Sequence, residues 1–238
     1  MNYILNFSFS ASTFLQEFIL VYLLQVGLYV VSAGGLTVFY AIWRYFNIGE
    51  SVDNRPLKPN QIASEICWGL VTCAIIALIL YSSLVSISDL YQQSWAEVLF
   101  FSIGFLVVYD LYIYFVHRLL HTRVLIRFHA RHHKSAIATP WSSLNLHPVQ
   151  AVLNYFPFLV FAMLFPVSLS VFITIHILLI LSDAYGHSNY NILAGSKQFR
   201  LMQNLVCFHQ QHHSSGRGNF GYLYTHWDTL FGTKLQKL

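Results

Sequence analysis

The sequence predicts an all-α protein, a polytopic transmembrane helix bundle with a cytosolic histidine-rich cap. Three observations predict it. Hydrophobic residues make up 56% of the 238 and charged residues only 9%, whereas soluble domains carry roughly a quarter charged residues. Long charge-free runs alternate with short polar segments. The phrase F-H-x-x-H-H occurs twice, as FHARHHKS from Phe128 and as FHQQHHSS from Phe208.

The spans follow in order. No charged residue falls between Glu17 and Arg44, a run longer than the roughly 20 residues a helix needs to cross about 30 Å of hydrocarbon. The polar stretch NIGESVDNRPLKPN, with two prolines and mixed charge, reads as a loop. A second span lies between Glu65 and Asp89. After a turn near Ser88 to Ser94, the sequence S-W-A-E offers Ser94 as N-cap with Glu97 reaching back, a capping box that opens a third helix running through His121. At about 1.5 Å per residue that helix has crossed the bilayer by roughly residue 115, so His117 and His121 emerge just beyond it. From Ser135 to Ser182 there is again no Asp, Glu, Lys or Arg, and Pro157 and Pro166 interrupt the run. The chain reads as one integral membrane domain, with two N-terminal spans in 1–94 and a core in 95–238.

Charge sets the expected orientation. All thirteen Lys and Arg residues fall in 44–58, 118–134 and 197–237, which the positive-inside rule places on the cytoplasmic side. Both histidine phrases then share the inner face, the N-terminus lies outside, and 149–182 is a hairpin that spans twice or re-enters. The N-terminus lacks a basic n-region, so no cleavable signal peptide is expected. Cys67, Cys73 and Cys207 form no C-x-x-C pair, which argues against a disulfide framework or a thiolate metal site.

The histidines carry the chemistry. In a helix, positions i, i+3 and i+4 share a face, so His129, His132 and His133 point at one place, as do His209, His212 and His213. His117 and His121 add an H-x-x-x-H pair, and His187 in AYGHSN is a ninth candidate. One metal ion cannot use nine imidazoles. Two ions can, and each phrase is expected to build largely one half of a dinuclear site. A single interfacial histidine is more simply an amphipathic ring at the head-group level. Several gathered without a cation would leave polar nitrogens unpaired or force like charges together. Imidazole suits zinc, iron, copper and nickel alike, and the absence of cysteine ligands disfavours an iron–sulfur cluster or closed structural zinc. An apolar bundle beneath the site favours redox chemistry over hydrolysis.

H117-R-L-L-H121, F128-H-A-R-H132-H133, G186-H187-S-N189, F208-H-Q-Q-H212-H213 and N219-F-G with W227-D-T-L-F-G232-T together resemble the fatty acid hydroxylase and sterol desaturase superfamily of membrane di-iron oxidases. The likeness runs from about Asp110 to Thr233. It implies two iron ions, with zinc an alternative occupant on isolation, held by His117, His121, His129, His132, His133, His187, His209, His212 and His213. It further implies O2-dependent hydroxylation of a C–H bond in a membrane lipid, sterol-like or fatty acyl, with desaturation the close alternative.

Some positions depart from the family pattern or sit beside it. Asp183 stands where some fatty acyl hydroxylases carry another histidine, as a ligand or as a carboxylate orienting His187. The three-residue gap between His117 and His121 is similar to the sterol-desaturase branch, as is His147 in NLHPVQ, although Gln150 stands where an acidic residue is common. Asp110, two turns before His117, is expected to accept a hydrogen bond from a liganding imidazole rather than to pair with Tyr114. His176 reads as a buried, hydrogen-bonded histidine, His226 as either a surface residue or a ligand, and His147 as either cap packing or support for the site, while Arg118 and Arg131 read as positive-inside charges.

No G-x-G-x-x-G fingerprint is present, so electrons are expected from a separate carrier and reductase, and a net charge of +4 suits an acidic carrier. No nucleic-acid partner is expected. The setting is a bacterial inner membrane or the endoplasmic reticulum. Two other classes fit less well: a membrane zinc hydrolase, which lacks the glutamate of H-E-x-x-H, and a metal carrier, whose ligands would line a transmembrane path.

Overall fold

A computed structural model describes residues 11–87, 93–192 and 200–235. Its helices are α1 (Ala11–Tyr45), α2 (Gln61–Ser86), α3 (Trp95–Leu120), the short α4 (Ile126–His129), α5 (Pro148–Leu164), α6 (Leu169–Gly186), α7 (Arg200–Ser215) and the short α8 (His226–Leu230). Among the described residues, four segments are long and apolar enough to cross a bilayer: Thr13–Tyr45, Gln61–Ser86, Trp95–Leu120 and Leu169–Gly186. The chain is a multi-pass membrane protein.

α3 begins as the sequence requires. The Ser94 backbone N–H donates to Glu97 Oε2 at 2.8 Å, and the Glu97 N–H donates to Ser94 Oγ at 3.4 Å, so two otherwise unpaired donors of the first turn are satisfied reciprocally. Residues 88–92 of the expected turn lie outside the described residues, as do the N-terminal 1–10 and, in the third basic segment, Lys197 and Lys237.

α2 departs from the charge-free rule. It starts before Glu65 and buries that carboxylate completely. Three donors make this tolerable: Gln61 Nε2 at 2.8 Å, Ser135 Oγ at 2.6 Å and Thr139 Oγ1 at 2.6 Å. A charge that is fully hydrogen-bonded need not end a buried helix.

The 149–182 stretch forms the expected two-helix hairpin, α5 and α6, turning through 165–168. At 17 residues, α5 is about 26 Å long, slightly less than the hydrocarbon thickness. Pro157 sits inside it. A proline has no N–H to give the carbonyl four residues earlier, and Tyr112 of α3 supplies the missing donor, its hydroxyl reaching Leu153 O at 2.9 Å.

α2 packs broadly against α1 and α5. Gly69 permits one close approach, because a Cβ there would lie 2.5 Å from the Tyr29 ring, whose hydroxyl donates to Trp141 O at 2.7 Å. His176 is buried and pairs its Nε2 with Gln25 Oε1 at 2.7 Å, joining α6 to α1 as a buried histidine should.

The loop after α1 is pinned to the chain after α6. β1 (Glu50–Ser51) pairs antiparallel with β2 (Tyr190–Asn191). Asn189, at φ 52°, accepts from the Asp53 N–H and donates to Asp53 O, both at 2.9 Å. This cap brings the ends of α3 and α6, the segment after α4, and α7 together at one end of the bundle.

Candidate metal centre

All nine predicted imidazoles converge. His117, His121, His129, His133 and His212 form one group, His132, His187, His209 and His213 another, and the ligand atoms within each group lie within 4.8 Å of one another.

The grouping corrects one expectation. Neither phrase builds one half of the site. The first gives His129 and His133 to the five-histidine group and His132 to the other; the second gives His209 and His213 to the four-histidine group and His212 to the other. Helical geometry explains the exchange. Successive residues rotate by about 100°, so positions i and i+4 stay together while i+3 and i+4 diverge. The first phrase, which ends in a 3-10 turn at His132–Lys134, diverges similarly. The centre is interleaved.

The ring orientations are set by acceptors outside the centre. His117 Nδ1 donates to Phe220 O at 3.0 Å, His212 Nδ1 to Gly218 O at 2.7 Å, His213 Nδ1 to Ser135 O at 3.0 Å and His187 Nδ1 to Asp183 O at 2.7 Å. His129 Nδ1 pairs with Gln150 Oε1 at 3.0 Å. A carbonyl oxygen only accepts, so each of these rings is protonated at Nδ1 and turns an Nε2 lone pair inward. Inside, the Nε2 atoms approach closely: 3.1 Å for His117 and His129, 3.0 Å for His133 and His212, 3.2 Å for His132 and His187, and 2.8 Å for His187 and His209.

Burial, reinforced by neighbouring imidazoles, lowers the pKa of His129, His132, His209, His212 and His213 well below the usual histidine range. It brings His121 and His133 to about 4. These rings are neutral at pH 7. Converging lone pairs on neutral rings repel unless a cation lies among them, and metal–imidazole bonds of about 2.1 Å put adjacent ligand nitrogens about 3 Å apart. The donor set fits two metal ions.

The remaining candidates sort by what they touch. Asp183 sits beside His187, with its carboxylate 3.3 Å from Nδ1 and its own carbonyl the closer acceptor. His147 caps α5 by accepting from the Val149 N–H and packs its ring on Phe128; it belongs to neither histidine group. Exposed His226 likewise stands outside both. Asp110 corrects a further expectation. Its carboxylate accepts from neither an imidazole nor Tyr114, but from the Leu223 N–H at 2.6 Å and Trp227 Nε1 at 2.7 Å. Tyr114 instead pairs with Thr233 Oγ1.

Three supporting residues escape sequence reasoning. Gln150 orients His129. Glu65 holds the 135–139 segment, whose Ser135 carbonyl orients His213. Asp228 accepts from the Phe220 and Gly221 N–H groups, both at 2.7 Å, and so shapes the turn whose carbonyls orient His117 and His212. The W-D pair near the C-terminus is the one sequence signal for this support: Trp227 ties to Asp110, and Asp228 braces the turn.

Beside the imidazoles lies a cavity of about 40 Å³, lined by residues of both groups together with Ile113, Gln150, Asn154, Asp183 and Tyr222. A multi-pass bundle that gathers nine inward-facing imidazoles at one end defines an integral membrane protein built around a histidine cluster able to hold metal.

Comparison with known proteins makes the class specific. A model of the fatty acid hydroxylase family matches residues 102–233, more than half of the chain. Lathosterol oxidase of Rattus norvegicus is 27% identical over 225 residues, covering 87% of this chain and 74% of the rat protein. The human lathosterol oxidase is 27% identical over 238 residues, covering 92% and 76%. A delta(7)-sterol 5(6)-desaturase of Gibberella zeae is 27% identical over 218 residues, covering 87% and 64%. No solved structure matches. The chain belongs to the fatty acid hydroxylase family and is an oxidoreductase, a lipid oxidase of the hydroxylase and desaturase type. The hydrolase and metal-carrier alternatives fall away.

Proposed function

We propose that the chain is an O2-dependent, non-haem di-iron oxidase that desaturates a sterol-like membrane lipid. The observation that carries the reading is the interleaved nine-imidazole centre, lying wholly within the family match. The sequence put hydroxylation first. Relatives named lathosterol oxidase and delta(7)-sterol 5(6)-desaturase favour loss of two hydrogens instead.

Two iron ions at this centre supply the redox chemistry that, with O2, two electrons and two protons, converts a CH–CH unit to an alkene and two waters. The chain's own residues prepare it. The backbone carbonyls of Asp183, Gly218 and Phe220, with Gln150, fix the Nδ1 protons of four ligands so that their Nε2 atoms stay free. The bundle beneath limits the supply of bulk water. The two N-terminal spans, α1 and α2, pack on α6 and α5 and so buttress the hydroxylase-like core in a single membrane domain.

The basic segments 44–58 and 118–134 adjoin the histidine end, which supports placing that end in the cytoplasm of a bacterial cell or on the cytosolic face of the endoplasmic reticulum. A separate reductase and a small acidic carrier deliver the electrons there.

The test is anaerobic purification, metal analysis, and turnover of lathosterol with a reconstituted electron supply. Two irons per chain, O2 uptake and a product two hydrogens lighter are expected. A product heavier by one oxygen moves the assignment to hydroxylation, and an iron-loaded protein with no O2 uptake overturns it.

A further inference from the structure

A second cavity, of about 460 Å³, opens between α3 and α5, lined by Phe101, Gly104, Phe105 and Tyr109 of α3 and Pro157 and Phe161 of α5 among others. Its volume is in the range that holds a small lipid or drug-sized ligand. No Lys, Arg, Asp or Glu lines it. Gly104 faces its open space, since a Cβ there meets nothing within 4 Å.

This groove and the cavity beside the imidazoles lie along the same two helices. On α3, Phe105, Tyr109, Ile113 and His117 follow one another at four-residue intervals and so share one face. Tyr109 lines the groove, while Ile113 and His117 line the cavity beside the imidazoles. The Tyr109 ring meets the ring of Tyr222, a residue of that second cavity, at 6.0 Å between centroids. On α5, Asn154 stands one turn from Pro157 and faces the imidazole cavity.

Asn154 is the unexplained residue. It is a carboxamide in an otherwise apolar helix stretch, it borders the metal centre, and its side chain makes no hydrogen bond among the described residues. Asn154 is half-buried, so a ligand in this cavity can reach its carboxamide. A carboxamide donates and accepts at once, which matches a hydroxyl. Neither cavity offers a Lys or Arg, so an anionic carboxylate head would find no protein counter-charge and would be drawn onto the metal ions rather than onto Asn154.

We infer that the α3–α5 groove receives the hydrocarbon body of an uncharged lipid directly from the bilayer, and that Asn154 binds its single hydroxyl beside the histidine centre. The inference rests on the lipid-oxidase reading. It adds an entry route, an orientation with the hydroxyl end foremost, and a recognition residue that favours neutral lipids over fatty acid anions.

The experiment is photolabelling of the purified full chain in phospholipid nanodiscs with a diazirine-bearing 3-hydroxysterol, mapped by peptide mass spectrometry. Label is expected in 100–112 and 156–165, to be suppressed by lathosterol and not by stearate. Gly104→Trp, or Gly104→Phe if the former folds poorly, abolishes it, whereas Leu99→Trp, outside the groove lining, leaves it intact. Asn154→Leu and Asn154→Ala each lower the preference for the 3-hydroxysterol over its 3-deoxy analogue about fivefold, the weight of one hydrogen bond. Label spread evenly over the lipid-facing helices, label insensitive to filling at Gly104, equal competition by stearate, or an unchanged preference in both Asn154 variants overturns the inference. Labelling needs neither electrons nor O2. A protein that labels in the groove but carries no iron and turns nothing over thus fails only the oxidase reading.

Discussion

Gln150 Oε1 pairs with His129 Nδ1 at 3.0 Å, and both side chains are buried. The amide fixes which nitrogen of His129 faces the centre. Gln150→Leu leaves that N–H without an acceptor and is expected to reduce metal affinity or turnover by about 10–100-fold, the usual cost of losing a partner behind a metal ligand. Gln150→Glu keeps the acceptor and recovers most of the loss. Metal content and rate, measured on the same preparations, check both.

The two histidine groups respond differently to truncation. His132→Ala leaves three imidazoles in the smaller group, and His212→Ala leaves four in the larger. Both variants are expected to lose turnover while remaining in the membrane. His132→Ala, however, should retain close to one metal per chain, and His212→Ala more than one, by elemental analysis. Full activity in either variant would remove the dinuclear assignment.

Asp110 is a structural tie. Its carboxylate holds the Leu223 N–H and Trp227 Nε1, so Asp110→Ala strands two donors at a cost of about 2–5 kcal/mol. Trp227→Phe removes one donor along with its demand and should cost less. Thermal melting in detergent ranks the two, and a double variant that melts no lower than Asp110→Ala confirms the shared contact.

Glu65 acts on the centre from α2. Three donors converge on it, and one belongs to Ser135, whose carbonyl orients His213. Glu65→Leu is expected to lower metal retention in the four-histidine group first, seen as faster loss of one metal than of the other to a chelator. Equal loss rates would place Glu65 outside this chain of contacts.

Gly218 lies at φ 61°, and a Cβ there would come within 2.5 Å of Thr233 O. Its carbonyl is the acceptor for His212. Gly218→Ala therefore strains the turn and shifts that acceptor. A several-fold fall in activity with little change in membrane insertion is expected, and Gly216→Ala, also at positive φ but with open space around it, should be milder.

Much of this was legible in the sequence because it is local. The Ser94 and Glu97 cap and the charge-free spans follow from residues within a few turns, the hairpin from the placement of the basic segments, and the gathering of nine histidines from their repeated spacing. What escaped depends on residues far apart in the chain. Asp110 meets its partners more than 110 positions later, and Glu65 meets Ser135 and Thr139 at separations of 70 and 74. Glu65 read as the edge of a span because a lone acid in apolar sequence gives no sign of the three donors that make its burial tolerable. The exchange of His132 and His212 between groups was hidden differently. Sharing a helical face is true of i, i+3 and i+4 only approximately, and the residual angle is enough to send neighbours to different groups.

That exchange ties assembly to occupancy. An ion held by either group would bridge both histidine phrases, so capturing the first would draw α7 against the segment after α4 and pre-form the cradle for the second. Half-filled protein is then the scarce species in a titration, because the second ion meets a cradle whose ordering cost has been met. On the di-iron reading, iron scarcity would divide a population of such chains into fully charged and empty molecules, and total activity would follow the number of complete centres.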